Sequence, residues 1–466
     1  MKKKWFGFAA LGAVVSMGAG GVMLMGCGDD TVTALPPDSG TDGSITFDAP
    51  PYEAGNGDDA GETDASMDAA DGGEAQAPTP TRLLVSYNGS TASQLIAFNL
   101  QSHAVDGILT YPDYIGTSFV TPTIPWLLEQ GNDVVARLDP LQPWVVQSSW
   151  SVALNDLTDA GYAQPYADPT WIVAAGAKDY VLRYNRNVVA VVDSTQIADG
   201  GAPTNTVDLS GQVQAAGDGY VEMIGGYYDG SRLAYVLLGN VNRFDIVPIG
   251  GIYTQLCTAT SPTIVAIDTT NDSLVNLNAD AGADAAGMGW TLQGYGPPFG
   301  VSPMAYDATN NRLLVLESGC TMQAADGGAG PVVRSGVEAV SLADGSTQML
   351  LDLSSVPALA TALFYFDPHH AVIQFYPPAA YAWDPTTSSL GAQIMGAPSV
   401  FGLDGHGNLV GVSQPVAGDG GLGDFVVTSV NPSDGGTTSL GQIPFNTGDG
   451  GVGQGFLSGA QLWPAP

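Results

Sequence analysis

Carboxylates dominate the chemistry open to this 466-residue chain, with 46 Asp and Glu against 12 Lys and Arg and four His. Acids that converge can hold a hard cation or share acid–base work. Asp58, Asp59, Asp64 and Asp68 are dense enough to suggest a calcium loop, but their spacing is not that of an EF-hand. Asp139, Asp193, Asp268 and Asp384 each close a short apolar run, where an Asx side chain caps the next turn. Glu222 and Asp229, with Asp307, Asp367 and Asp404, stand at the ends of a further set of runs. His103, His369, His370 and His406 fall in turns, too scattered for a metal-ligand set or a Ser-His-Asp arrangement. The strings Gly418–Gly423 and Gly448–Gly455 have the glycines of a phosphate cradle, but neither leads into a helical pattern that would supply a dipole. Both read as turns, and Ala279–Gly289 and Ala324–Gly330 read as low-complexity loop insertions.

Cys27 carries a different chemistry. Lys2, Lys3 and Lys4 precede an uncharged run from Trp5 to Met25, the layout of an export signal. An uncleaved transmembrane anchor is the alternative, but Gly12, Gly18, Gly20 and Gly21 make the run a poor helix. Leu24-Met25-Gly26-Cys27 resembles the lipobox of bacterial lipoproteins. That resemblance implies a signal peptide over 1–26, two acyl chains on the Cys27 sulfur and a third on its new amino group. At about 0.8 kcal/mol per buried CH₂, several chains make release from the membrane negligible. The residue after the cysteine is Gly28 rather than the Asp that holds many lipoproteins at the inner membrane. The expected address is therefore the cell envelope, lipid-anchored at the outer membrane, on its periplasmic or surface face.

Residues 27–80 are rich in Asp, Gly, Ala, Pro, Ser and Thr, with 13 acids and no base. Such a segment cannot bury enough apolar surface to offset its ordering entropy, which predicts a disordered acidic linker. As a flexible coil it would span roughly 40 Å. With three of the 12 bases in the signal, the mature chain has nine against 46 acids. A single lysine, Lys178, remains. Nucleic acid is excluded as a partner, because phosphate contacts need clustered bases. The membrane is reached through the lipid alone.

From Thr81 to Pro466 the texture changes to short runs of Val, Ile, Leu, Tyr and Phe between Gly, Asn, Asp and Pro turns, an all-β pattern. Two sandwiches would fit this length, but a four-strand unit (a, b, c, d) repeats. Its clearest copy is Ser302–Asp307, Arg312–Glu317, Gly336–Leu342 and Thr347–Leu353. Copies follow at 361–395 and 399–443, and earlier ones are marked by strand c at Asp133–Asp139, Asn187–Asp193 and Thr263–Asp268. The first unit lacks strand a and opens on Arg82–Tyr87, while Val452–Ser458 is a strand with no unit of its own. Joining these halves predicts a ring of seven.

This grammar resembles the bacterial β-propellers related to WD40, NHL and YncE-like repeats, over 81–466. The resemblance implies an all-β, seven-bladed β-propeller closed by pairing of its N- and C-terminal strands. It also places the connections that bear Cys257 and Cys320 on one face of adjacent blades, which implies a disulfide between them. Propeller enzymes of the lactonase type hold calcium with channel acids, which makes Glu222, Asp229, Asp307, Asp367 and Asp404 the channel-mouth candidates. Trp126, Trp144, Trp150, Trp171, Trp290 and Trp383 would suit sugar or peptide if exposed, but blade packing explains them. Three functions are expected: a non-enzymatic binding or scaffolding platform for protein or glycan, a calcium-dependent propeller hydrolase, and an outer-membrane assembly factor. The platform is favoured, with no cofactor.

Overall fold

The computed structural model describes residues 80–464, except 89–91, 112–114, 116–117, 121–123, 155, 157–165, 194–202, 243–245, 250–251, 258–259, 279–287, 297–301, 324–328, 357, 377–378, 395–398, 405, 414–422, 433–435 and 445–455. Cys27, the signal and the linker lie outside the described residues, as do most of the two Gly-rich strings. Seven antiparallel blade sheets follow one another along the chain, built on a meander of strands a to d that blade 6 shortens to a to c. Blade 2 comprises Ser118–Val120, Pro125–Glu129, Val134–Leu138 and Val146–Ser151, and blade 3 comprises Pro169–Ala175, Lys178–Arg183, Val188–Asp193 and Asn205–Asp208. Blade 4 has Met223–Tyr228, Leu233–Leu238 and Thr263–Asp268, with Ser273–Val275 and Trp290–Thr291 sharing the place of strand d. Blade 5 has Met304–Asp307, Arg312–Glu317, Gly336–Ser341 and Thr347–Asp352, and blade 7 has Val400–Leu403, Leu409–Ser413, Phe425–Val430 and Thr437–Ile443.

Blade 1 is composite. Pro80–Asn88, Ser93–Asn99 and Ala104–Tyr111 are its strands b, c and d, and the C-terminal strand Phe456–Pro464 is its strand a. It pairs antiparallel with Pro80–Asn88, setting Arg82 against Trp463 and Val85 against Ala460. The expected closing strand Val452–Ser458 is described from Phe456, its start lying outside the described residues, and it runs on through the apolar Leu457, Leu462 and Trp463, which have blade surface to bury.

Blade 6 has Leu359–Asp367, His370–Tyr376 and Ala379–Trp383 as strands a to c. Of its expected strand d, Leu390–Met395, the described residues show a bridge between Gln393 and Tyr381 and three backbone hydrogen bonds, donated by Ala382 N–H to Ala392 O, Gly391 N–H to Ala382 O and Ile394 N–H to Ala380 O. Gly391, Ala392 and Gln393 are exposed and none is β-branched, so little burial holds them as a strand.

Each hydrophobic cluster lies between two blades. One joins blades 1 and 2, and the others join 2 to 3, 3 to 4, 4 to 5, 5 to 6, 6 to 7 and 7 to 1. Strand b of blade 5 shows how the sequence does this: Leu313 and Val315 face blade 4, while Leu314 and Leu316 face blade 6. Because a strand's side chains alternate and both faces are covered, the inner strands read as unbroken apolar runs rather than as alternation. Innermost strands approach one another between blades 7 and 1, 1 and 2, 3 and 4, 4 and 5, and 5 and 6. This is a seven-bladed β-propeller, and its ring leaves only short, protected strand edges.

Candidate binding face

The meander fixes two faces. Connections from b to c, and entries into strand a, emerge on one; the a–b and c–d hairpins turn on the other. In blades 4 and 5 the b–c connections are long enough to fold into hairpins of their own, Ile246–Ile249 with Ile252–Gln255, and Cys320–Gln323 with Ala329–Val333. The two are sewn together. Leu256 bridges Thr321 in parallel register, and Cys257 N–H donates to Thr321 O at 2.9 Å. Cys257 and Cys320 form a disulfide, with S–S 2.08 Å and Cα atoms 5.0 Å apart, as the adjacent-blade expectation required. The result is a stapled double hairpin standing over the seam between blades 4 and 5.

Two buried acids lie beneath it. Glu317 ends strand b of blade 5 and Glu338 sits in strand c, opposite Val315. Both have the parity that faces blade 4. Across the seam, the N–H groups of Gln293 and Gly294 donate to Glu338 Oε2 at 2.8 and 3.1 Å. Both oxygens of Glu317, and Oε1 of Glu338, are buried with no hydrogen-bond donor among the described residues. Burial pushes the Glu317 carboxyl well above the usual carboxylate range, the charge of Glu338 adds to this, and Arg334 pulls the other way. Arg334 spends its donors elsewhere: Nε reaches Gln293 O at 2.8 Å, and Nη2 reaches Gly294 O at 2.7 Å and Ser261 Oγ at 3.0 Å. Its guanidinium carbon lies 5.3 Å from the Tyr295 ring centroid. A Cβ on Gly294 would fall on the Glu317 carboxylate, so only glycine fits there.

Of the acids singled out by sequence, four stand on the opposite face and hold hairpins. Asp229 Oδ1 accepts the N–H groups of Ser231, Arg232 and Leu233 at 2.7–3.0 Å. Burial opposes ionisation of Asp307, but bonds from Asn310, Tyr365 and Arg312 outweigh it and hold its carboxyl below the usual range. Asp367 takes His369 N–H and contacts His370 Nδ1 at 2.7 Å. Asp404 takes the N–H groups of His406 and Asn408. Glu222 alone lies at the other end of its strand, buried on the hairpin-bearing face at φ +43°. Asp168 and Ser302 take the same left-handed conformation where strand a of blades 3 and 5 begins. That conformation costs about 1 kcal/mol or more per residue away from glycine.

At the c–d turns Asp139, Asp268 and Asp384 cap as Asx turns. Among the described residues no three His, Cys, Asp or Glu side chains converge to hold a metal ion. Trp126, Trp150, Trp290 and Trp383 are buried between blades, and Trp144 and Trp171 are half-buried. The bases are equally committed: Arg82, Lys178, Arg183, Arg186, Arg232 and Arg312 each pair with an aspartate. No described base outside these pairs and Arg334 is exposed, so the surface charge is set by acids.

Sequence reasoning missed Glu317, Glu338 and Arg334. The signal was present: an acid closes the apolar run Arg312–Leu316, and another interrupts Gly336–Ser341 on a strand buried on both faces.

No family model matches the chain, and no curated protein matches it. Among solved structures it overlays a putative 6-phosphogluconolactonase from Bacteroides fragilis at 10% identity, over 80% of this chain and 97% of that one, with TM-score 0.47. Apo AztD from Citrobacter koseri overlays at 10% identity, over 80% and 85%, TM-score 0.42. BamB from Moraxella catarrhalis overlays at 12% identity, over 79% and 91%, TM-score 0.37. These overlays are too loose to carry function, and the fold rests on the sheet order itself: the chain is a seven-bladed β-propeller closed by its own C-terminal strand.

Proposed function

We propose that this chain is an envelope lipoprotein, anchored at the outer membrane through Cys27, whose propeller is a non-enzymatic binding platform for a protein or glycan partner. The observation that carries the reading is the double hairpin stapled by Cys257–Cys320 on one face of blades 4 and 5. A ring that only needed to close has no use for two cross-linked projections. Their covalent tie fixes their relative position before any partner arrives, which lowers the ordering cost of binding. The lipobox at 24–27 supports the anchor, and the acidic segment 27–80 supports a spacer between membrane and ring.

The test uses the full chain expressed in a bacterial envelope. Radiolabelled palmitate incorporates into the wild type and not into Cys27→Ala. Affinity capture from detergent extract and a glycan array then compare the wild type with a variant whose 247–254 segment is replaced by a short Gly-Ser link. A ligand held by the wild type and lost by the variant supports the platform, and one held equally by both refutes it.

A further inference from the structure

We infer that Glu317 is held protonated in the closed seam between blades 4 and 5, beside Glu338, and that loss of this proton loosens the stapled hairpins from the ring. The argument starts from unmade bonds. Three buried carboxylate oxygens, both of Glu317 and Oε1 of Glu338, have no donor among the described residues. Two unpaired charges in one buried seam would cost several kcal/mol each. Among the described residues, the charged groups that act on Glu317 are Glu338 on strand c and Arg334 on the turn before it, whose guanidinium lies over Tyr295 on the blade 4 segment packed across the seam. Cys257 and Cys320 are tied to each other and do not titrate. Arg334 is bound to the carbonyls of Gln293 and Gly294 rather than to either acid.

One proton resolves the conflict. Carried on Glu317, it neutralises a buried carboxyl that has no donor among the described residues and removes the like-charge repulsion, while Glu338 Oε2 keeps its two backbone N–H bonds. Burial and the neighbouring charge both hold that proton in place. When it leaves to solvent, two negative charges occupy a seam stitched by Ser318 N–H to Gly296 O, Gly319 N–H to Tyr295 O and Tyr295 N–H to Arg334 O. Glu317 is only three residues from Cys320, so opening the seam reaches the base of the staple. The pair acts independently of what the face binds.

The experiment uses the full chain in detergent micelles. Infrared spectra of the wild type at pH 7 should show a protonated carboxylic acid C=O band that is weaker in Glu317→Gln by one group's intensity, the remainder coming from Asp179 and Asp133. Hydrogen exchange should show the amides of Gly294, Tyr295, Ser318 and Gly319 losing protection, relative to the other seams, by about tenfold per pH unit above the Glu317 midpoint, as one-proton linkage requires. Glu317→Gln should leave that protection flat. If this variant does not fold, the wild-type exchange profile decides: a blade 4–5 seam whose protection follows that of the other seams at every pH overturns the inference. A wild type with no acid band at pH 7 overturns the inference, as does an unchanged exchange profile in Glu317→Gln. A band that appears only on adding chelator would mean that a cation, not a proton, joins the acids, and would also overturn it.

Discussion

Removing the Cys257–Cys320 bond is the sharpest perturbation of the fold that leaves the blades' own packing intact. The bond closes a loop of 63 residues. In the chain-entropy model a loop of that length restricts the unfolded chain enough to stabilise the ring by about 4 kcal/mol. At about 2.1 cal/mol/K of unfolding entropy per residue, a ring of roughly 385 residues converts this into a melting shift of about 5 °C. Calorimetry should therefore find the Cys257→Ser/Cys320→Ser double variant melting about 5 °C below the wild type. Excess reductant should lower the wild type to the same point and leave the double variant unmoved. Thiol titration of the denatured, unreduced chain should find neither Cys257 nor Cys320 reactive. A double variant that melts with the wild type, or two reactive thiols in the unreduced chain, would refute the reasoning.

Trp463→Ala should cost about 3–5 kcal/mol by chemical denaturation, because the ring is buried between blades 1 and 2 and its Nε1 donates to Pro140 O at 2.9 Å; a loss below about 1 kcal/mol would mean that the closing strand does not anchor the ring. Gly294→Ala should destabilise by about 1–3 kcal/mol through overpacking against Glu317, and pairing it with Glu317→Ala should recover part of that loss, whereas additive losses would place the clash elsewhere. Stability should also fall as pH rises from about 4 to about 7. Burial raises Asp179 to about 7, against a smaller pull from Arg137, and raises Asp133 to about 6. Since the folded chain keeps protons that the unfolded chain releases near pH 4, this contribution is complete at acid pH and gone above the folded pKa. Asp179→Asn should flatten the slope of melting temperature against pH, and a slope unchanged in that variant would contradict the assignment.

Much of the ring was legible because burial of both faces leaves an unusual mark. Runs such as Leu313–Leu316 and Val188–Val192 are apolar without alternation, and an acid or amide stops them where the chain must turn. The missing strand a at Arg82 and the spare strand near the C-terminus betrayed the closure, although its expected end at Ser458 fell short of Pro464. Strand d of blade 6 failed for the opposite reason, since Gly391–Gln393 bury almost nothing.

The working face was harder to see. The carboxylates most visible in sequence, Asp229, Asp307, Asp367 and Asp404, are conspicuous because they cap turns, and that local role places them on the face away from the double hairpin. Glu317 and Glu338 are 21 residues apart in sequence and meet only because strands b and c pair across an inserted hairpin. Nothing local distinguishes them from surface glutamates except the apolar run around each.

Site-directed photo-crosslinking in intact cells tests the platform reading most directly. A photoreactive residue is placed at Tyr253, in the blade 4 hairpin, or at His369, exposed on the opposite face. The predicted result is one discrete adduct from position 253, lost when Cys27→Ala removes the anchor, and none from position 369. No adduct from position 253, or the same adducts from both positions, would contradict it.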